Sequence, residues 1–177
     1  MTQLLRNFTA ALLLSIGLTG AANAQLAEGT KAPNFNTPAA IAGKEMGFSL
    51  RNALRQGPVV LYFYPKAFTQ GCTLEANAFA EAMPQFRAAG ASVIGLSNDD
   101  IATLKRFSRE ECRDAFPVGV ASRKLIADYF VALPNSDLAS RTSYVIAPDG
   151  RIAMVYSNSD YRDHVKRTLA AVRALSK

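Results

Sequence analysis

The chain has 177 residues, 49% of them hydrophobic, with 20 Lys plus Arg against 14 Asp plus Glu and a formal net charge of +6. That is the length of one domain with material for a core, which excludes a disordered tail, a collagen-like repeat and a coiled coil. One histidine (His164) and two cysteines (Cys72 and Cys112) also exclude a metal site built on several His or Cys ligands of one chain, and a disulfide-stapled mini-protein.

The first element is an address. Arg6 is followed by an apolar run from Ala10 to Leu18 and by Gly20-Ala21-Ala22-Asn23-Ala24. A short positive segment, a short apolar core and a small-residue ending predict a cleavable secretory signal over residues 1–24. The run is well short of the roughly 20 residues that a membrane span needs. This reading leaves a mature domain over 25–177, periplasmic or secreted, with no membrane association after cleavage and in a compartment where cysteine pairs persist. The basic stretches 105–113 and 164–173 lack interleaved aromatics, so they read as solvated helix faces and not as a nucleic-acid surface.

Pro33, Pro38 and Gly43 predict an irregular lead-in over 25–46, and 47–50 a short edge strand or turn. Val59-Val60-Leu61-Tyr62-Phe63-Tyr64 is apolar without alternation, the pattern of a strand covered on both faces, and Pro65 ends it. A helix follows in which Cys72, Phe79 and Phe86 share a face with Ala82 and Met83, and Pro84 falls inside it. A second buried strand, 92–96, leads to a helix from Ile101, capped by Asn98 or Asp99, with Leu104, Ser108 and Cys112 on one face. A short strand near Val118, a helix over 124–130, a hairpin of 143–146 and 152–156 around Pro148-Asp149-Gly150, and a last helix with Val165, Leu169, Val172 and Leu175 on one stripe complete the order. Crossover helices require parallel strands and the hairpin an antiparallel pair, so the fold class is α/β, a mixed central sheet flanked by helices on both faces.

Chemistry concentrates in Tyr64-Pro65-Lys66-Ala67-Phe68-Thr69-Gln70-Gly71-Cys72-Thr73-Leu74-Glu75. With Thr69 as N-cap, Cys72 is the third helical residue, where unpaired backbone N–H groups and the positive end of the helix dipole favour an anion. A thiolate is the reactive form of cysteine. Pro65 terminates the strand without adding a donor, and the Thr69 hydroxyl can donate or accept near the sulfur.

Pro65-x-x-x-Thr69-x-x-Cys72 after a hydrophobic strand resembles the active-site signature of the peroxiredoxins. Phe63-Tyr64-Pro65-Lys66-x-Phe68-Thr69-x-Gly71-Cys72-Thr73-x-Glu75-Ala76 is most similar to their Q, or bacterioferritin-comigratory, subgroup. The likeness continues through 93–97, 116–118 and 141–152, and upstream through Gly29-x-x-Ala32-Pro33-x-Phe35. The resemblance implies a thioredoxin-like fold and a cofactor-free thiol peroxidase acting on hydrogen peroxide and organic hydroperoxides, recycled by a thioredoxin-like dithiol donor, as a monomer or weak dimer. It implies that Cys72 is the peroxidatic thiolate, that Thr69 hydrogen-bonds the peroxide, and that Pro65 shields the oxidised sulfur. Arg141 would polarise the peroxide and favour the thiolate, and Glu75 would orient Arg141. Among the basic residues, Lys66 and Arg123 are other candidates for that positive charge, and His164 reads as a surface residue.

The chain departs from the subgroup in having Asn77 where one form carries its resolving cysteine. Cys112 on the following helix matches the other form. It would resolve the oxidised Cys72 after local unwinding of helix ends, or it is an inert buried thiol and an external thiol resolves. A rival reading is a non-catalytic extracytoplasmic domain stapled by a permanent Cys72–Cys112 disulfide. A disulfide reductase is disfavoured because there is no Cys-x-x-Cys.

Overall fold

The path of β3 (Val59–Phe63) organises the molecule, because its side chains alternate between two cores. Val60 and Tyr62, with Tyr64 just beyond, face a cluster containing Phe79, Phe86, Leu104, Phe107 and Leu169. Val59, Leu61 and Phe63 face another containing Leu50, Leu125, Ile126 and Tyr129. The computed structural model describes residues 25–175; the secretory signal expected over 1–24 lies outside the described residues.

Among the described residues the strands form one seven-stranded sheet. They are β1 (Asn36–Ile41), β2 (Lys44–Ser49), β3, β4 (Ser92–Ser97), β5 (Val118–Val120), β6 (Thr142–Ile146) and β7 (Ile152–Ser157), in the order β2-β1-β5-β4-β3-β6-β7. The β3–β4 and β4–β5 pairs are parallel and the others antiparallel. Helices α2 (Gln70–Ala88), α3 (Ile101–Glu110) and α5 (His164–Leu175) supply the first core. Helices α1 (Leu50–Leu54) and α4 (Arg123–Asp128) supply the second. The mixed sheet with helices on both faces is therefore as expected, and so is the face of α2, on which Cys72, Phe79, Ala82, Met83 and Phe86 are all buried.

Several local expectations are corrected. The lead-in is not irregular: β1 and β2 form a hairpin whose two-residue turn, Ala42-Gly43, has positive φ at both positions (52° and 72°). That backbone matches the twist of the strands it joins. Alanine is unusual there, which hid the turn. Asp100, and neither Asn98 nor Asp99, caps α3, its carboxylate accepting from the Thr103 N–H at 2.8 Å. Cys112 lies just past the end of α3, and the buried stripe of α5 runs through His164, Thr168, Leu169 and Val172.

Two register facts place the site. The parallel β3–β4 pair brings the loop after β3 beside the loop after β4, and β6 pairs antiparallel to β3 with Thr142 opposite Phe63. Arg141 thereby arrives at the edge where β3 ends and α2 begins. Beneath that edge the packing is close: Tyr62 stacks on Phe79 with ring centroids 4.4 Å apart, and a methyl group on Gly95 would sit 2.6 Å from the Tyr62 hydroxyl. Gly95→Ala is expected to lower the unfolding free energy by about 1–3 kcal/mol through overpacking. Urea denaturation checks this, since alanine replacing glycine in an uncrowded strand would stabilise.

Candidate active site

Helix α2 starts where the sequence places it. Thr69 is the N-cap, with extended backbone (φ −80°, ψ 147°), and its side chain makes no capping bond. The Thr69 hydroxyl instead donates to the Lys66 carbonyl at 2.9 Å. Cys72 is then the third helical residue, 2% exposed. The loop before it is held from below: the Ala67 N–H donates to Asp99 Oδ2 at 2.8 Å, and the same oxygen accepts from Ser97 Oγ at 2.8 Å. This use of Asp99 explains why the cap of α3 falls to Asp100. Phe68 has a left-handed backbone (φ 63°), its ring edge-on to Phe107 at 5.2 Å and beneath the Arg106 guanidinium at 5.1 Å. Pro65 is half-buried on the rim of a cavity of about 210 Å³ shared with Leu133, Arg141, Asn158 and three serines.

Arg141 fills the space above the first turn of α2. Its Nη2 donates to Cys72 Sγ at 3.5 Å, its Nη1 pairs with Glu75 Oε2, and its Nε donates to the Ser159 carbonyl at 3.0 Å. Gly71 permits the approach, because an added Cβ would meet Arg141 Nη2 at 3.1 Å. Burial pulls the Arg141 guanidinium down, but Glu75 and Cys72 outweigh this, so its pKa lies above the ordinary value. Of the other basic candidates, Arg123 pairs with Asp137 in solvent and Lys66 is exposed. The structure therefore brings together Cys72, Arg141 and Glu75, with Thr69 and Pro65 on the adjoining loop.

Cys112 is not bonded to Cys72. It is fully buried and both sulfurs are free thiols. Burial, followed by Glu111 and Asp114, pushes the Cys112 thiol well above its usual range. Arg113 and Asp114 after it both have left-handed backbones (φ 50° and 58°). Asn77 ties this segment to α2: its side-chain amide donates to Glu111 Oε2 at 3.4 Å, and its carbonyl accepts from Arg113 Nη2 at 2.9 Å.

A residue missed from the sequence is His164. It is fully buried, not on the surface, with Nδ1 2.8 Å from Ser143 Oγ, Nε2 3.0 Å from the Asn158 carbonyl, and Nδ1 3.7 Å from Glu75 Oε1. The only signal available was its position one residue before an apolar stripe.

Comparison with known proteins is consistent over most of the chain. The AhpC/TSA family profile matches residues 29–155. Peroxiredoxin Q, chloroplastic, of Oryza sativa subsp. japonica is 34% identical over 159 residues, covering 85% of this chain and 69% of the relative. Peroxiredoxin Bcp of Xanthomonas campestris pv. campestris is 27% identical over 126 residues, covering 67% and 78%. The crystal structure of peroxidoxin BcpB from Mycobacterium tuberculosis superposes with a TM-score of 0.74 at 31% identity, covering 84% of this chain and 97% of the other. These likenesses give the fold as thioredoxin-like. They also correct the location expected from residues 1–24: the rice relative is named as chloroplastic, and none of these names describes an exported protein, so the periplasmic or secreted assignment is withdrawn.

The buried acid and imidazole carry opposite pH signatures. Burial pushes the Glu75 carboxyl from 4.5 up to about 8 against the pull of Arg141, and pushes His164 from 6.5 down to about 4. The Glu75 contribution to stability is complete below 4.5 and is lost as pH rises through 8; the His164 contribution is complete above 6.5 and is lost as pH falls through 4. Between 4.5 and 6.5 the two slopes oppose each other. The unfolding free energy is therefore expected to fall on the order of 1 kcal/mol between about pH 6.5 and 8. Urea titrations at stepped pH measure the slope, and Glu75→Gln flattens it.

Proposed function

Because this chain belongs to the AhpC/TSA family and is a thiol-dependent peroxidase of the peroxiredoxin type, we propose that Cys72 is its peroxidatic residue. The observation that carries this reading is the Arg141 guanidinium at 3.5 Å from a sulfur in the first turn of a helix. A fixed positive charge and unpaired helical N–H groups both favour thiolate.

The thiolate attacks one oxygen of the peroxide O–O bond. An S–O bond forms, the O–O bond breaks, and the departing oxygen takes a proton to leave as water or an alcohol, so that Cys72 becomes a sulfenic acid. Arg141 stabilises the charge that moves onto the oxygens. The Thr69 hydroxyl, with its proton committed to the Lys66 carbonyl, offers lone pairs to the peroxide O–H. Pro65 presents no donor on the cavity side and limits access of a second peroxide to the sulfenate. Glu75 holds Arg141 in place from behind.

Resolution is assigned to Cys112. Its thiol displaces hydroxide from the sulfenic sulfur, forming a disulfide and water, and a thioredoxin-type dithiol returns both cysteines to thiols. Two observations support it: the paired left-handed residues Arg113 and Asp114 store backbone strain that opening releases, and Thr69 and Gln70 at the start of α2 are exposed, so opening there uncovers little buried surface. The alternative of a non-catalytic domain with a permanent Cys72–Cys112 staple is not favoured by the relatives, and both thiols are free.

Counting free thiols before and after one equivalent of hydrogen peroxide tests the scheme. The wild type is expected to lose both thiols, Cys72→Ser to lose none, and Cys112→Ser to lose one and to hold a sulfenic acid that a dimedone-type reagent traps. Undiminished peroxide consumption by Cys72→Ser overturns the assignment of that residue. Arg141→Ala is expected to slow peroxide consumption about 100-fold or more at neutral pH, and an unchanged pH–rate profile removes Arg141 from the site.

A further inference from the structure

The segment that carries Cys112 is fastened to α2 from outside and held at a cost from within. We propose that Arg113, together with Arg87, is a positioning residue for resolution: the two form a clasp that sets how often Cys112 is released toward Cys72, a role that rests on the assignment of resolution to Cys112 made above.

The clasp closes on both sides of the buried thiol. Arg113 Nη2 donates to the Asn77 carbonyl, in the middle of α2, at 2.9 Å, and Arg87 Nη2 donates from the end of α2 to the Ala115 carbonyl at 2.7 Å. On the other flank of Cys112, the Asn77 amide donates to Glu111 Oε2 at 3.4 Å. Both neighbours of Cys112 are thus tied to one residue of α2. The two guanidinium–carbonyl bonds are charge-assisted and carry the attachment. The Arg113–Glu81 ion pair, 3.2 Å long with side chains 46% and 72% exposed, contributes little.

Two features oppose this grip. Arg113 and Asp114 both have left-handed backbones (φ 50° and 58°), a conformation that residues with a side chain keep only when their surroundings impose it. Cys112 also shares its core with Tyr62, whose hydroxyl is fully buried and has no hydrogen-bond partner among the described residues. A hydroxyl stranded in this way loses what water supplied in the unfolded chain. Release of the segment relaxes the backbone and admits water to the hydroxyl, so the closed state is held against both by the arginines.

Two reactions compete for the sulfenic acid of Cys72. In resolution the Cys112 thiol gives up its proton, its sulfur bonds to the Cys72 sulfur, and the S–O bond breaks, hydroxide leaving with that proton as water. In over-oxidation the sulfenate attacks a second hydrogen peroxide: another S–O bond forms, the O–O bond breaks, and the remaining oxygen leaves as water, giving a sulfinic acid. Only resolution waits on the clasp. Arg113 therefore governs the ratio of disulfide to sulfinic acid and leaves the first oxidation of Cys72 untouched.

That ratio is measured by mass spectrometry of the intact protein after one exposure to stepped concentrations of hydrogen peroxide. Arg113→Ala is expected to raise the concentration that over-oxidises half of Cys72 about tenfold, with the first oxidation as fast as in the wild type. Arg113→Lys, which still donates to the Asn77 carbonyl, and Glu81→Gln, which leaves that bond intact, are expected to stay near the wild type. Tyr62→Phe, which removes the stranded hydroxyl, is expected to lower the same concentration about fivefold. Loss of a nearby cation would by itself hold the Cys112 proton more tightly and slow its attack, so a gain in Arg113→Ala reports release and not acidity. An unchanged or lowered concentration in Arg113→Ala, or an equal change in the first oxidation, overturns the proposal. Hydrogen exchange reads release without chemistry, at the Cys112 and Asp114 amides that bond to the Phe107 and Ser108 carbonyls at 3.0 Å. Exchange there is expected to quicken about tenfold in Arg113→Ala, and an unchanged rate overturns the clasp. A wild type that forms no disulfide defeats the assignment of resolution to Cys112, while exchange still decides whether Arg113 holds the segment.

Discussion

One guanidinium ties the site together. Arg141 is 9% exposed and spends its donors on three groups from two segments distant from it in sequence: the sulfur and carboxylate of the first turns of α2, 69 and 66 residues away, and the carbonyl of Ser159 beyond β7. A buried charge of this kind is tolerable only when its donors are met. The geometry of the site therefore follows from satisfying Arg141: Gly71 must lack a side chain, Glu75 must point inward at the cost of its own solvation, and the turn after β7 must present a carbonyl. Removing any one partner leaves a polar group stranded in the interior, so the cluster behaves as a unit and not as a sum of contacts.

The sequence was most readable where burial and backbone chemistry act locally. The unbroken apolar run of β3 reports two-sided cover because every residue in it meets one core or the other. The start of α2 at Thr69 follows from the proline-ended strand and the loop that must cross to the helix. Harder to read was anything set by a partner distant in sequence. Arg141 was distinguished from other basic residues only by resemblance to a family. Asp99 looked as good a cap as Asp100 until its carboxylate was seen to hold Ala67. His164 looked like a surface residue because its partners, Ser143, Asn158 and Glu75, come from three other elements. The Ala42-Gly43 turn escaped notice since alanine rarely takes positive φ, and the apolar run near the amino terminus pointed to export although the relatives do not.

The two sulfurs sit in contrasting surroundings on one side of the sheet. Cys72 lies at a helix start beside a cation, whereas Cys112 lies in apolar packing just past a helix end, near carboxylates. That asymmetry separates the duties a two-thiol cycle requires. In the cycle proposed above, the first thiol is competent in the folded state and the second is withheld until its segment moves, out of reach of oxidants while the site is at rest. Asn77 joins α2 to the segment bearing Cys112 through both its side chain and its carbonyl.

The antiparallel pairing of β6 with β3 also orders events in time. Strand β3, the loop and α2 are contiguous, but the cation that confronts Cys72 is delivered by a strand made some seventy residues later. Contacts of such long sequence separation form late, after the intervening chain has condensed. A chain emerging from the ribosome thus carries Cys72 for a while without Arg141 beside it, as an ordinary thiol. The reactivity toward peroxide that we propose for Cys72 is then acquired only when the sheet is complete, so a half-made or unfolded copy is spared the oxidation that the finished site invites.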